Sequence, residues 1–252
     1  MRKCGMLLVL SLGGGLAGPA QGQATVTTGS GSTFQSISFD ANGSVTLFEA
    51  PAGIAPLSGS SLEGYAVCSD YTGSQAPHGV TVSGFGVDSG WGPATMSQPG
   101  GLNTYPVSFT RDSLDGAVRL TQDYNAVVGY RALNVVLTVK NLTGLPIPNV
   151  KISRFFGITI AFPIHWDATD DGMNARTDPS PLSGFQATNN TKQFSLIPST
   201  EIYTSFSAGC VATSALSNPI GPQTGGVGRL DYSVGGLSAG QQKIVRLQYR
   251  RY

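Results

Sequence analysis

Apolar residues recur at every second position through most of this chain, and no other property restricts its fold so tightly. Tyr105, Val107 and Phe109 alternate with Pro106, Ser108 and Thr110. Val118, Leu120 and Tyr124 alternate with Arg119, Thr121 and Asp123. Leu133, Val135, Leu137 and Val139 share one face of 131–140, and Val150, Ile152, Phe156, Ile158 and Ile160 share one face of 149–161. Phe194 and Leu196, Leu230 to Val234, and Val245 to Tyr249 repeat the pattern. Period two places each apolar set on one side of a pleated strand, whereas a helix needs apolar positions three and four apart. A one-residue slip would turn every set toward water, so the register is strongly specified. Strands greasy on one face need a second layer to cover it. The expected fold is therefore all-β, an antiparallel β-sandwich with little or no helix. Short helical turns would fit only near 168–176 or 212–218.

Turn signals punctuate the runs. Asn42-Gly43, Asp115-Gly116 and Asn141 to Gly144 are examples. Pro146 and Pro148 cannot donate to a ladder, so 141–148 reads as the loop joining two long antiparallel strands. Composition agrees. Eleven Asp against three Glu, and only five Lys, favour turns over helix interiors. The 40% apolar content with little net charge argues against disorder. No linker or repeat divides the chain, so residues 25–252 are expected to form one domain, with a Gly/Ser-rich start at 25–32 that is loosely held.

The first residues follow a different logic. Arg2 and Lys3 precede the apolar stretch Met6 to Leu16, then the small residues Ala17, Gly18 and Ala20. Charge, short greasy core and small residues make a secretory signal over 1–24, with cleavage fitting after Gly22 or Ala24. Its core is shorter than the ~20 residues a spanning helix needs. The expected destination is the periplasm or the extracellular medium, with no transmembrane segment in the mature chain. Export also explains the cysteines. Cys4 leaves with the signal, and Cys68 and Cys210 remain as a pair, most simply a bridge in an oxidising compartment, with two buried free thiols as the alternative. Loss of Arg2 and Lys3 leaves 13 basic against 14 acidic residues. Such a balance has no concentrated basic face and excludes nucleic acid as a partner. Arg246, Arg250 and Arg251 read as solvated charges on an edge strand. A membrane barrel fits poorly, because alternation from Tyr252 would turn Arg250 and Arg246 to lipid.

Two segments carry a likeness. The stretch VRLTQDYN followed by YRALNVVLTVKNLTGLPIPNVKISRFFGI, from Val118 to Ile160 with a short break, has a long strand ending in Asn-x-Thr-Gly, a Pro-containing turn and a strand bearing Arg154. With the closing segment Leu237 to Gly240 and its strand, it resembles uncharacterised exported bacterial β-sandwich proteins. Those proteins tend to place an acidic residue soon after the Arg, where this chain has Phe155-Phe156-Gly157. The resemblance implies fold and export and brings no activity.

Chemistry-bearing residues concentrate between His165 and Asp178. Asp167, Asp170, Asp171 and Asp178 could surround a hard cation such as calcium, which takes six to eight oxygens. The spacing is not that of an EF-hand, and a solvent loop built on Asx-turns is the competing reading. Trp166 beside His165, with Asn174 and Arg176, would suit a sugar face and its hydroxyls, with Trp91 as a second platform. Both rings read equally well as core packing. Gly236-Leu-Ser-Ala-Gly240 matches a serine-hydrolase pattern but precedes a strand, and no His follows residue 165. A triad would need His78 or His165 as base, with no way to rank the serines. Two functions stay open: a non-catalytic exported binding or structural module, glycan- or cell-surface-associated, with no cofactor; or a secreted carbohydrate-active hydrolase or epimerase with its site near His165–Asp171.

Overall fold

A computed structural model of the chain describes residues 23–57, 62–73, 76–83, 86–127, 129–157, 164–169, 172–177, 185–189, 195–201, 210, 214–215, 220–223 and 227–251. Side chains are described up to Gly157 except that of Leu62, at Cys210, and from Gly228 to Arg251. Strands dominate. The only helix among the described residues is a 3-10 turn at Gly31–Thr33. A small sheet joins β1 (Ala24–Thr28), β2 (Gln35–Phe39) and β3 (Val45–Glu49). A seven-stranded sheet contains β4 (Leu62–Ser69), β5 (Ala76–Val82), β6 (Val87–Ser89), β11 (Ile147–Gly157), β15 (Ser195–Glu201), β16 (Ser214–Ala215) and β18 (Val227–Leu237). A nine-stranded sheet contains β7 (Thr95–Ser97), β8 (Val107–Asp112), β9 (Val118–Ala126), β10 (Ala132–Asn141), β12 (Ile164–Thr169), β13 (Gly172–Thr177), β14 (Phe185–Asn189), β17 (Ile220–Gln223) and β19 (Gln242–Arg251). Its order is β17-β12-β13-β14-β19-β10-β9-β8-β7, and the other large sheet runs β16-β15-β18-β11-β4-β5-β6. Every pairing is antiparallel.

The fold is thus an all-β antiparallel sandwich, and the alternating residues are its core. Leu133, Val135, Leu137 and Val139 are fully buried, as are Val118, Tyr124, Val150, Ile152 and Phe156. They form one cluster with Val245, Leu247 and Tyr249 from the nine-stranded sheet and Leu230 and Tyr232 from the seven-stranded one. The small sheet closes one part of this core, where Phe39 packs on Phe109 and Tyr124 with ring centroids 5.8 and 4.6 Å apart. No described helix is long and apolar enough to cross a membrane.

Four expectations change. Strands β10 and β11 do not pair: they lie in opposite sheets, so the loop between them is an arch rather than a hairpin. Asn141 makes that corner, its Nδ2 donating to the carbonyls of Leu145, Leu237 and Ser238. Strand β19 lies between β14 and β10, not at an edge, and Arg251 is buried while Arg246 and Arg250 face outward. The Gly/Ser-rich segment is not loosely held at its beginning, because β1 pairs along its whole length, Ala24–Thr28, with β2. Residues 164–169 and 172–177 form paired strands rather than a loop or helical turn.

Cys68 and Cys210 form a disulfide with Cα atoms 5.7 Å apart, closing a span of 142 residues. The proposed signal segment up to Gln21 and Gly22 lies outside the described residues.

Candidate functional site

The alternation of β11 puts Arg154 on the same face as Ile152 and Phe156, so its charge lies between the sheets. It is fully buried, and so is its partner Glu63 on β4. Arg154 also donates to the hydroxyls of Tyr249 at 2.9 Å and Tyr124 at 2.8 Å and to Gln122 at 2.5 Å. Its guanidinium stands 5.7–5.8 Å from the ring centres of Tyr65, Tyr124 and Tyr249. Burial pushes Glu63 up to about 7, against the opposing pull of Arg154 and the Tyr249 hydroxyl. A buried pair of this kind stands only when its remaining donors and acceptors are filled.

Three members of this network grip one turn by its backbone. Glu63 accepts the Val45 N–H at 2.8 Å. Tyr65 donates to the Asn42 carbonyl at 2.7 Å, and Tyr124 to the Gly43 carbonyl at 2.5 Å. Gly43 has φ +86°, and an added Cβ there would meet the Phe109 ring at 2.7 Å, so the turn needs glycine. Asp40 completes the turn by accepting the N–H groups of Asn42 and Ser44. The core network thereby fixes one wall of a cleft.

That cleft has a volume of about 330 Å³ and is lined by Asp40, Asn42, Thr46, Thr81, Ser83 and Asp88, among others. Its second wall is the β5–β6 hairpin. Arg111 holds Asp88 from behind with two bonds of 2.7 and 2.9 Å, and Thr81 donates to it at 2.7 Å. Burial pushes Asp88 up, but Arg111 and Thr81 outweigh it and hold the carboxyl below its ordinary range. At Asp40 burial wins and raises the carboxyl above its ordinary value, despite the Ser44 and Asn42 N–H groups. Two carboxyls of unlike proton affinity thus line one cleft.

A second constellation lies where β4, β5 and the β8–β9 turn meet. Ser69 Oγ is 2.7 Å from His78 Nε2, and His78 Nδ1 is 2.6 Å from Asp115 Oδ2. The β4–β5 register shifts between Val67, opposite Gly79, and Cys68, opposite Pro77, which makes His78 the extra residue of a bulge. Bulges re-aim side chains in this way. Asp115 is aimed as firmly: its Oδ1 accepts the Ser113 hydroxyl at 2.5 Å and the Ala117 N–H at 2.9 Å, leaving Oδ2 for the imidazole. Burial raises Asp115, and Ser113, Ala117 and His78 more than reverse this, so it lies below the usual carboxylate range. An ionised Asp115 can only accept, so a neutral imidazole here would carry its proton on Nδ1 and accept a hydrogen bond from the Ser69 hydroxyl at Nε2.

Trp91 joins the two regions. Its ring lies against Gly79, where an added Cβ would stand 2.4 Å from it, and 5.8 Å from the Tyr65 ring centre. Its backbone bridges to Ser113, and Leu114 N–H donates to Gly90 O at 2.8 Å. These contacts bring the β8–β9 turn, and with it Asp115, to His78.

Trp91 is therefore not an exposed sugar platform. It is 6% exposed, because the glycine opposite leaves a flat recess for the ring. His165, Trp166 and Asp167 fall on β12, and Asn174 and Arg176 on β13, with His165 opposite Arg176 and Asp167 opposite Asn174. Their side chains, and the whole of Asp170, Asp171 and Asp178, lie outside the described residues, and with them the calcium reading. Sequence reasoning named His78 as a possible base but did not find Ser69, Asp115, Asp40 or Asp88. The Asp115-Gly116 and Asn42-Gly43 turn signals were the visible traces.

No family model matches the chain, and no curated protein matches it. Solved structures do. A bacterial glucoamylase complexed with acarbose superposes over 92% of this chain with a TM-score of 0.59 at 12% identity. A galactose mutarotase-like protein from Lactobacillus casei covers 91% of this chain and all of its own length, with a TM-score of 0.46 at 11% identity. This chain spans about a third (32%) of the glucoamylase, and what the two have in common is the β-sandwich fold.

Proposed function

We propose that this protein is an exported β-sandwich that binds a carbohydrate in the cleft between the 40–44 turn and the β5–β6 hairpin. The observation that carries this reading is the cleft itself. Its size falls within the ~300–1,000 Å³ of small-molecule sites, and its lining is rich in fixed oxygens and an amide. Arg111 at Asp88 and backbone N–H groups at Asp40 hold the two carboxylates in place, so their remaining lone pairs can accept from sugar hydroxyls. Preorganisation of this kind lowers the ordering cost of binding. The glucoamylase with the matching fold was solved with acarbose, which supports a glucan-like probe. Export is supported by the basic, apolar, small-residue order of the first residues and by the Cys68–Cys210 bridge.

Calorimetric titration of the processed chain with acarbose, alongside a glycan array, tests the reading. Binding is expected to weaken about tenfold in Asn42→Ala, which removes a side-chain amide worth on the order of 1 kcal/mol. The carbonyl that Tyr65 holds is untouched by that change. A folded wild-type protein that bound no glycan on the array would end this reading.

A further inference from the structure

We propose that Ser69, His78 and Asp115 form a nucleophile–base–orienter relay that hydrolyses short-chain acyl esters. This goes beyond glycan binding, and the pocket it uses has no lining residue in common with the cleft. Three independent observations carry it. The hydrogen-bond chain runs Ser69 Oγ to Nε2 at 2.7 Å and Nδ1 to Asp115 at 2.6 Å, the order and reach that activate a hydroxyl. The base sits on a bulge that turns it out of the ladder, and the carboxylate is locked by two further donors. A pocket lined by Tyr71, Thr72, Ala76 and Pro77 reaches the relay, in which Ser69 and His78 are 1% and 5% exposed and Asp115 is the solvent-facing member.

The pocket sets the substrate class. Its volume is about 40 Å³. One water needs roughly 10–15 Å³ of such space, so the pocket takes a few heavy atoms, an acetyl-sized acyl group and no long chain. The alcohol portion of the ester would remain outside.

The chemistry balances without a cofactor. Ser69 Oγ forms a bond to the ester carbonyl carbon as its proton passes to His78 Nε2. The carbonyl π pair moves to oxygen. The Tyr71 N–H donates to Ser69 Oγ at 3.1 Å in the resting state and would turn to that oxyanion once Oγ has bonded to carbon. Collapse breaks the carbon–alkoxy bond, and the proton on Nε2 leaves with the alcohol. Water then repeats the sequence on the acyl-serine and releases the carboxylic acid, restoring Ser69 and neutral His78. Asp115 stays ionised throughout and stabilises the transient imidazolium.

The test uses the full processed chain with p-nitrophenyl acetate, p-nitrophenyl octanoate and a fluorophosphonate probe. The acetate is expected to turn over and the octanoate not. Ser69→Ala and His78→Gln are expected to lose on the order of 10³-fold in rate. Asp115→Asn, which acts through His78, should lower the rate and shift the pH profile. Peptide mass spectrometry of the labelled wild type should place the phosphonyl group on Ser69. That readout stands even where a variant fails to fold. Wild-type hydrolysis no faster than that of folded Ser69→Ala, or a label on another residue or on none, would overturn the proposal. Acarbose titration of Ser69→Ala separates the two readings, since the cleft should bind equally well without the hydroxyl.

Discussion

At the scale of single residues, the buried charge of Arg154 dominates. It compensates Glu63 and satisfies two tyrosine hydroxyls and a glutamine at once. Arg154→Met removes one partner of a buried pair, which costs about 3–5 kcal/mol. The cost depends on pH. Folding raises the Glu63 carboxyl from 4.5 to about 7, so the folded state holds that proton more tightly than the unfolded chain. The stability this gives is complete below about 4.5 and is lost as pH rises through about 7. Without Arg154 the carboxyl loses its main charge-stabilising neighbour, and the falling window extends further up. Urea melts at pH 5 and pH 8 should therefore show a larger gap between variant and wild type at pH 8. An equal gap at both values would mean that Glu63 does not titrate in this way. Arg154 also shows what alternation can and cannot tell. Its phase with Ile152 and Phe156 was readable, and it pointed inward. The partners that make an inward arginine tolerable, Glu63 and three tyrosines, come from strands dispersed along the chain.

At the scale of elements, joints between strands decide more than the strands do. The strands themselves were legible, since Leu133 to Val139 and Val245 to Tyr249 point inward as their spacing requires. The 141–148 arch was not, because two proline residues break a ladder equally well in a hairpin or between sheets. What distinguishes them is Asn141, whose amide reaches carbonyls 96 and 97 residues away. Asn141→Ala should leave those buried acceptors unfilled and lower stability by about 1–3 kcal/mol, read from the shift in urea midpoint at constant slope. The β5–β6 hairpin gives the matching case. Trp91 read equally as a platform or as core packing, and Gly79 is the reason that it packs inside. Gly79→Ala would place a Cβ 2.4 Å from the indole. The ring must then move, and overpacking of this kind costs about 1–3 kcal/mol. Because Trp91 also holds the β8–β9 turn, the same change should loosen Asp115 from His78. Any esterase rate should fall with it, and the tryptophan emission should shift toward the red.

Across the whole molecule, one covalent link crosses a long stretch of chain. Pairing Cys68 with Cys210 followed from an exported chain with two cysteines, and the geometry meets it with Cα atoms 5.7 Å apart. The three-residue relay of Ser69, His78 and Asp115 had no comparable signal, since nothing in a sequence announces a bulge that turns one histidine aside. The bridge and the relay are nonetheless neighbours, because Cys68 precedes Ser69 on β4. The bridge also carries Lys151, whose Nζ donates to the Cys210 carbonyl at 3.1 Å. Closing 142 residues restricts the unfolded chain by about 5 kcal/mol on the chain-entropy account. Reduction, or Cys68→Ala with Cys210→Ala, should therefore lower the melting temperature by roughly 10–20 °C in a chain of this size. A sandwich held mainly by its inter-sheet core should stay folded at 25 °C after reduction, with its far-ultraviolet strand signal unchanged. Reduction that left the melting temperature where it was would show that Cys68 and Cys210 are not bonded in solution. Reduction that abolished the strand signal at 25 °C would show that the core between the sheets is too weak to hold the fold alone.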